Sequence, residues 1–176
     1  ICNMSRSIIA GLIQAGYPAG RIIAANPSRP KLDELADQFG IRITQNNAEA
    51  AREADVIVLA VKPQLMAAML EALVAELGSL AGKLLISIAA GIKVERLQEM
   101  AGGHSRIIRT MPNTPSLLGL GMTGLYAPSG IEQADRDFAE QMMQAVGKTL
   151  WVAQESGING VIAAAGSAPA YFFLFM

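Results

Sequence analysis

The stretch RTMPNTP at residues 109–115 sets two prolines around an asparagine, directly behind the apolar pair Ile107 and Ile108. Proline fixes φ at about −65° and removes a backbone donor, so Pro112 and Pro115 stiffen a strand exit and hold Asn113 between them. In open α/β sheets a ligand lies outside the carboxyl ends of the strands. Other segments here break off in a similar way: Asn3 and Met4 open the first helix, Asn26, Pro27, Ser28 and Arg29 close one apolar run, and Asn46 and Asn47 follow the next. Lys62 and Pro63 stop a fourth run, and Ala89, Ala90 and Gly91 end a fifth. Small and amide-bearing residues at such ends let a flat polar ligand approach the main chain. The first turn of the leading helix offers unpaired N–H groups and a positive dipole end to a pyrophosphate.

These residues point to dinucleotide binding. NPSR, residues 26–29, stands about 20 residues past the expected phosphate turn, where NAD-preferring folds place an acid on the ribose hydroxyls. No acid stands there. Asn26 and Ser28 can donate hydrogen bonds and Arg29 can pair with a 2′-phosphate, so NADPH is the preferred cofactor and NADH a possible one. The alternative is a plain turn carrying a solvated arginine. Lys62 and Pro63 are either a strand stop with an exposed lysine or, with Val61, main chain lining the nicotinamide ribose. Ala89, Ala90 and Gly91 serve either close packing of helix on strand or the cofactor.

A G-x-G-x-x-G loop should precede the first helix, and ICNM stands in its place, so that motif fails by itself. Either those glycines are lost from this chain or the site is not a dinucleotide site; the later segments favour loss. His104 follows two glycines and reads as a surface histidine, and Met142, Met143 and Trp151 read as core. No paired carboxylates, Ser-His-Asp set or metal-ligand set occupies suitable places, and no catalytic residue is assigned.

Strand-type and helix-type segments alternate around these ends. NMSRSIIAGLIQAG places Ile8, Ile9, Leu12 and Ile13 on one helical face and closes at Gly16. RIIAANPS is a strand followed by the helix PKLDELADQFG; IRIT is a strand followed by NNAEAAREA. DVIVLAV and KLLISIAAG lack polar alternation, as expected of strands covered on both faces. QLMAAMLEALVAEL and VERLQEMAG are helical, and MTGLYAP and TLWVA are strands flanking the helix IEQADRDFAEQMMQAVG. About seven strands with covering helices predict an α/β fold, a doubly wound, mostly parallel Rossmann-type sheet with all these ends on one edge, followed by the start of a helical second domain. The boundary is expected near residue 155, giving a nucleotide-binding domain at 1–155 and the start of a second at 156–176. No internal repeat or low-complexity linker is seen.

With 14 basic against 15 acidic residues dispersed along the chain, there is no basic stripe for nucleic acid. One cysteine and one histidine cannot build a disulfide framework or a zinc cluster. Cys2 is expected to pack as a small apolar residue. No charged segment precedes an apolar one at the start, so no signal peptide is expected and the cytoplasm is the default compartment. The apolar window at 160–176 is interrupted by Gly166, Ser167 and Pro169, and reads as helix buried against another element or subunit rather than as a membrane span.

The ordered set NM at 3–4, NN at 46–47, AVKPQ at 60–64, SIAAGI at 87–92, RTMPNTP at 109–115 and GSAPAY at 166–171 resembles pyrroline-5-carboxylate reductase along the whole chain. The resemblance implies NAD(P)H-dependent reduction of 1-pyrroline-5-carboxylate, a cyclic imino acid, to L-proline. It also implies a C-terminal helical domain through which subunits form homodimers or higher homo-oligomers. By position, Asn3 and Met4 would face the pyrophosphate, Asn26, Ser28 and Arg29 the adenosine ribose phosphate, and Asn47 the adenosine side. Ala60, Val61, Lys62, Pro63, Ala89 and Ala90 would line the nicotinamide half, and Met111 and Asn113 would stand where hydride leaves. The family's substrate-carboxylate loop is expected beyond residue 176, so these 176 residues alone are expected to bind cofactor weakly and reduce nothing. A β-hydroxyacid dehydrogenase-like oxidoreductase and a non-catalytic nucleotide-sensing module are the alternatives.

Overall fold

Local periodicity and the stop residues set the elements. The computed structural model describes residues 3–161, apart from the side chains of Thr114 and Leu117. In chain order they are α1 (Asn3–Gln14), β1 (Ile23–Ala25), α2 (Arg29–Phe39), β2 (Arg42–Thr44), α3 (Asn47–Glu53), β3 (Val56–Leu59) and α4 (Pro63–Leu77). Then come β4 (Leu84–Ser87), α5 (Val94–Met100), β5 (Ile107–Met111), β6 (Gly121–Tyr126), α6 (Gln133–Gln144), β7 (Gly147–Trp151) and α7 (Gly157–Val161). Short 3-10 turns occupy Ala19–Arg21 and Thr114–Leu118. Cys2 and the apolar window beyond Val161 lie outside the described residues.

The expected α/β, mostly parallel Rossmann-type architecture is observed. β3, β4 and β5 run parallel, β6 is antiparallel to β5, and β7 is parallel to β6. In β4 and β5, neighbouring residues point to opposite faces: Leu85 and Ile107 meet α4 and α5 through Met66, Leu70 and Leu97, while Ile86 and Ile108 join Ile8, Ala139 and Met143 of α1 and α6. Helices on both faces explain why these runs show no polar alternation.

Two expectations need correction. β1 and β2 form a parallel sheet of their own, and β1 is not bonded to β3, so the strand ends lie on two sheets rather than one. Each of β1 and β3 has a ladder partner on one side, and helices bridge the sheets instead. The same fact explains the second difference. The run around β3 is expected to be buried on both faces, yet Val56, Ile57 and Val58 are half-buried because β3 is an edge. All four residues of β4, inside the sheet, are buried.

Helix α1 makes one of the bridges. Met4, Ile8 and Leu12 pack with the core of the larger sheet, and Ile9 and Ile13 with Ala24, Leu32, Leu35 and Ile41 of the smaller one. Its end is a Schellman closure, with Gly16 N bonded to Ile13 O at 3.0 Å and Tyr17 N to Leu12 O at 2.9 Å. Gly16 takes φ 91°, which a side chain would strain. On the other side of the sheets, Ala48 and Ala51 of α3 pack against Leu73 of α4.

Polar clamps gather at the amino ends of the strands. Arg106, just before β5, holds Asp135 of α6 through both carboxylate oxygens at 2.6 Å and donates to Gly82 O at 2.8 Å. Asp135 raises the Arg106 pKa. Lys83 donates to the carbonyls of Arg52 and Ala54, meeting the C-terminus of α3 with a cation. His104, expected at the surface, is half-buried, with Nε2 2.8 Å from the carbonyl oxygen of Lys83, to which it donates. Met142 and Met143 are buried as expected, and Trp151 is half-buried beneath the Arg136 guanidinium, 5.4 Å from the ring centre.

Gly11 gives a test of the α1 bridge. A Cβ there would run into the main-chain carbonyl of Ala145. Helix propensity alone makes Gly11→Ala stabilising by about 1 kcal/mol. The contact reverses the sign, and the substitution is expected to cost about 1–3 kcal/mol in urea unfolding. A gain in stability would show that α1 and residue 145 do not touch.

Candidate functional site

The carboxyl ends of the strands carry the residues singled out above, in two groups. The first belongs to α1 and the smaller sheet. Asn3 is exposed at the start of α1, while Met4 packs against the core of the larger sheet. Ser7 Oγ donates back to Asn3 O at 2.9 Å. No acidic residue occupies the first turn of α1, so the positive end of its dipole is not offset there.

After β1 the chain turns through Asn26, whose Nδ2 donates to Ser28 O at 3.0 Å. Ser28 caps α2 by position, though its hydroxyl makes no capping bond, and Pro30 follows in the first turn. Arg29 is exposed, and its Nε donates to Asp33 Oδ1 one turn on at 2.8 Å. The turn is tied to β2 by Asn26 N on Thr44 O and by Gln45 Nε2 on Pro27 O. At the start of α3 the two asparagines divide their work: Asn46 Oδ1 accepts from Ala48 N at 2.9 Å and Glu49 N at 3.3 Å, whereas Asn47 is exposed on the first turn.

The second group stands on β3, β4 and β5, neighbours in one sheet. Ala60 and Val61 are half-buried, and Lys62 and Pro63 are exposed. Lys62 caps α4 with extended backbone and Pro63 is its first residue, a place that needs no donor. Past β4, Ala89 is buried with its N–H on Ser87 Oγ at 3.3 Å, and Ala90 is exposed. Pro63 and Gly91 also border an open cleft together with Lys93 and Arg96 of the α5 start. Past β5, Met111 and Asn113 are half-buried around buried Pro112, and Asn113 Oδ1 accepts from Met122 N at 2.9 Å.

The structure thus brings Ala60, Val61, Lys62, Pro63, Ala89, Ala90, Met111 and Asn113 to one end of three adjacent strands. Asn26, Ser28, Arg29 and Asn47 stand on the separate smaller sheet and the helices that follow its strands, with α1 between the two cores. What these ends offer is main-chain N–H groups, amides and cations. They suit holding an anionic ligand rather than exchanging protons with it.

The sequence assigns no individual role to Ser87, Arg109, Thr110 and Glu155. Thr110 Oγ1 donates to Ser87 O at 3.0 Å within the sheet, and Arg109 Nη1 meets Glu155 Oε1 at 3.0 Å. A cation inside the apolar run IIRTM is itself a signal, because a charge buried on a strand needs a partner. Nothing in the local pattern singles out Glu155, 46 residues away.

A family model described as NADP oxidoreductase, coenzyme F420-dependent, matches residues 1–91. The chain is 56% identical over 174 residues to a pyrroline-5-carboxylate reductase of Vibrio alginolyticus, covering 99% of this chain and 63% of the relative. The solved pyrroline-5-carboxylate reductase of Coxiella burnetii superposes with a TM-score of 0.93 at 41% identity, covering 99% of this chain and 64% of the other. The pyrroline carboxylate reductase of Plasmodium falciparum, solved with NADP bound, superposes with a TM-score of 0.82 at 27% identity, covering 99% and 63%. The resemblance drawn from the ordered motifs is borne out. The chain spans less than two thirds of the length of these relatives.

The division between Asn46 and Asn47 is open to measurement. Asn46→Ala should lower stability by about 1 kcal/mol through loss of the cap, and Asn47→Ala by less than about 0.5 kcal/mol. Equal losses in urea unfolding would refute the assignment of the cap to Asn46.

Proposed function

Because the chain belongs to the family described as NADP oxidoreductase, coenzyme F420-dependent, we propose that it is the nucleotide-binding part of a pyrroline-5-carboxylate reductase. The enzyme reduces 1-pyrroline-5-carboxylate to L-proline in proline biosynthesis, with NADPH preferred over NADH. The observation that carries this is the convergence of SIAAGI and RTMPNTP on the carboxyl ends of adjacent strands β4 and β5. The 56% identity to a curated reductase supports it over the two alternative readings.

The donors present suit the cofactor. The first turns of α1 and α2 hold no acid, and that of α2 holds Arg29 and Lys31. The N–H groups of the α1 start, at Asn3 and Met4, grip the pyrophosphate. Asn26, Ser28 and Arg29 take the 2′-phosphate, and Asn47 takes the adenosine side. The bond to Asp33 engages Arg29 through Nε and orients the guanidinium, which has five N–H donors in all. Ala60, Val61, Lys62, Pro63, Ala89 and Ala90 line the nicotinamide half, and their small side chains or main chain allow close approach. Met111 and Asn113 stand at the nicotinamide, and the stiff exit of β5 keeps them there.

The bound cofactor supplies the hydride for the C=N carbon of the cyclic imine. The protein's part is to hold the two reactants with reacting atoms about 3–3.5 Å apart, so positioning rather than a side-chain base supplies the acceleration. The nucleotide domain ends near residue 155, and a helical domain from 156 onward pairs subunits into a homodimer or larger ring. Among the described residues no helix is long and apolar enough to cross a membrane, and the enzyme works in the cytoplasm.

The complete gene product should oxidise NADPH when given pyrroline-5-carboxylate, followed by absorbance at the nicotinamide band; no turnover would refute the activity. Arg29→Ala should raise KM for NADPH about tenfold or more and leave KM for NADH within about threefold. Equal changes for both would remove Arg29 from the phosphate site.

A further inference from the structure

The proposed cofactor contacts leave the buried Arg109 unused. Arg109 stands in the middle of β5 with its side chain only 4% exposed, and Glu155 is 20% exposed. One oxygen, Glu155 Oε1, accepts from Arg109 Nη1 at 3.0 Å and from Val94 N, the first residue of α5, at 2.8 Å. Arg109 Nε has no hydrogen-bond partner among the described residues. A buried ion pair with a donor left over is a poor source of stability, since apolar residues of similar volume often serve as well. Geometry is what it supplies.

Three segments meet at that oxygen. β5 runs on from Arg109 to Met111 and Asn113. α5 begins three residues after Gly91, so its start fixes the far end of the loop that carries Ala89 and Ala90. Glu155 itself leads into α7, whose Ile158 and Val161 are buried, with Val161 seated over Gly124 so closely that a Cβ there would lie 3.0 Å from it. The chain entering the second domain is therefore tied to both loops proposed to hold the nicotinamide.

We infer that Arg109 and Glu155 are positioning residues for hydride transfer: their ion pair, shared with the N–H of Val94, sets the nicotinamide loops against the domain that brings the imine. This rests on the reductase reading given above. Without the pair the loops and the second domain remain present, but the distance between donor and acceptor carbons is no longer held. A misplacement of about 1 Å can cost roughly a hundredfold in rate.

The test uses Glu155→Ala, Glu155→Gln and Arg109→Lys in the complete gene product, with three measurements. Amide hydrogen exchange of the peptide containing Val94 should speed up about tenfold or more in Glu155→Ala as its acceptor is lost. At a temperature well below every variant's Tm, kcat for imine reduction should fall about tenfold or more, with KM for NADPH within about threefold and a larger deuterium isotope effect from C4-deuterated NADPH. Glu155→Gln keeps an oxygen for both donors and should recover most of kcat. Arg109→Lys keeps the charge but not the planar fork, and should lose roughly threefold to tenfold in kcat even where Glu155→Ala does not fold. A lower Tm with kcat unchanged, or a raised KM for NADPH with kcat unchanged, would overturn the positioning role. Wild-type protein inert toward pyrroline-5-carboxylate would instead overturn the reductase reading and this role with it; active wild type with unaffected variants overturns the role alone.

Discussion

Helix α1 lies between two sheets that share no hydrogen bond, and the arrangement of the site depends on that contact. Its residues divide by face: Ile9 and Ile13 go to the small sheet, Met4, Ile8 and Leu12 to the large one, and Gly11 lets the helix reach the main chain at Ala145. Full burial of an isoleucine or leucine contributes about 1.5–3 kcal/mol, and most of these residues are half-buried, so the bridge is strong only as a set. The same packing fixes where the start of α1 stands relative to both cores. A helix N-terminus suits a pyrophosphate wherever it lies; here packing, not the glycine motif, sets that helix between the two cores.

The two ends of the larger sheet use charge differently. At the amino ends, Arg106 clamps Asp135, Lys83 covers the last carbonyls of α3, and His104 bonds the Lys83 carbonyl. These link helices to strand starts and hold the frame. At the carboxyl ends the strands give way to alanine, glycine, proline and asparagine, which leave the main chain approachable. The long charged side chain among them, Lys62 after β3, is exposed and leaves that main chain open. The asymmetry follows the general placement of ligands in open α/β sheets.

Much of this was legible in the sequence, and the misses have physical causes. Gly16 and Gly40 end α1 and α2 because a left-handed residue closes a helix cheaply, and the largely apolar runs at 56–59, 84–87 and 107–111 are strands, as their lack of polar alternation predicts. Periodicity reports which faces are covered and says nothing of which strand bonds which. The break between β1 and β3, and the half-burial of Val56, Ile57 and Val58 that follows, are therefore invisible to it. Of the two asparagines at 46 and 47 both fit a cap, and only the fold shows that Asn46 takes it. Arg109 carried a signal in its apolar surroundings; Glu155 carried none, because its partner is set by a register built from three other strands.

That register explains why the exit of β5 is so stiff. Asn113 takes the N–H of Met122 and Pro112 is buried, so the connection, which passes through the 3-10 turn at Thr114–Leu118, is tied back to the start of β6, and β6 runs back against β5 with Thr110 opposite Leu125. β7 runs alongside β6 with Leu125 opposite Trp151. The last residue of β7 is thereby level with Thr110, and four residues further on Glu155 comes within reach of Arg109. A slip of one residue in the pairing of β6 would turn its side chains to the other face. Leu125 would leave the core, and Glu155 would no longer arrive over the buried guanidinium. The prolines and the amide of RTMPNTP therefore present Met111 and Asn113 at the end of β5, and the bond from Met122 N to Asn113 ties the same exit to the strand whose register brings Glu155 to Arg109.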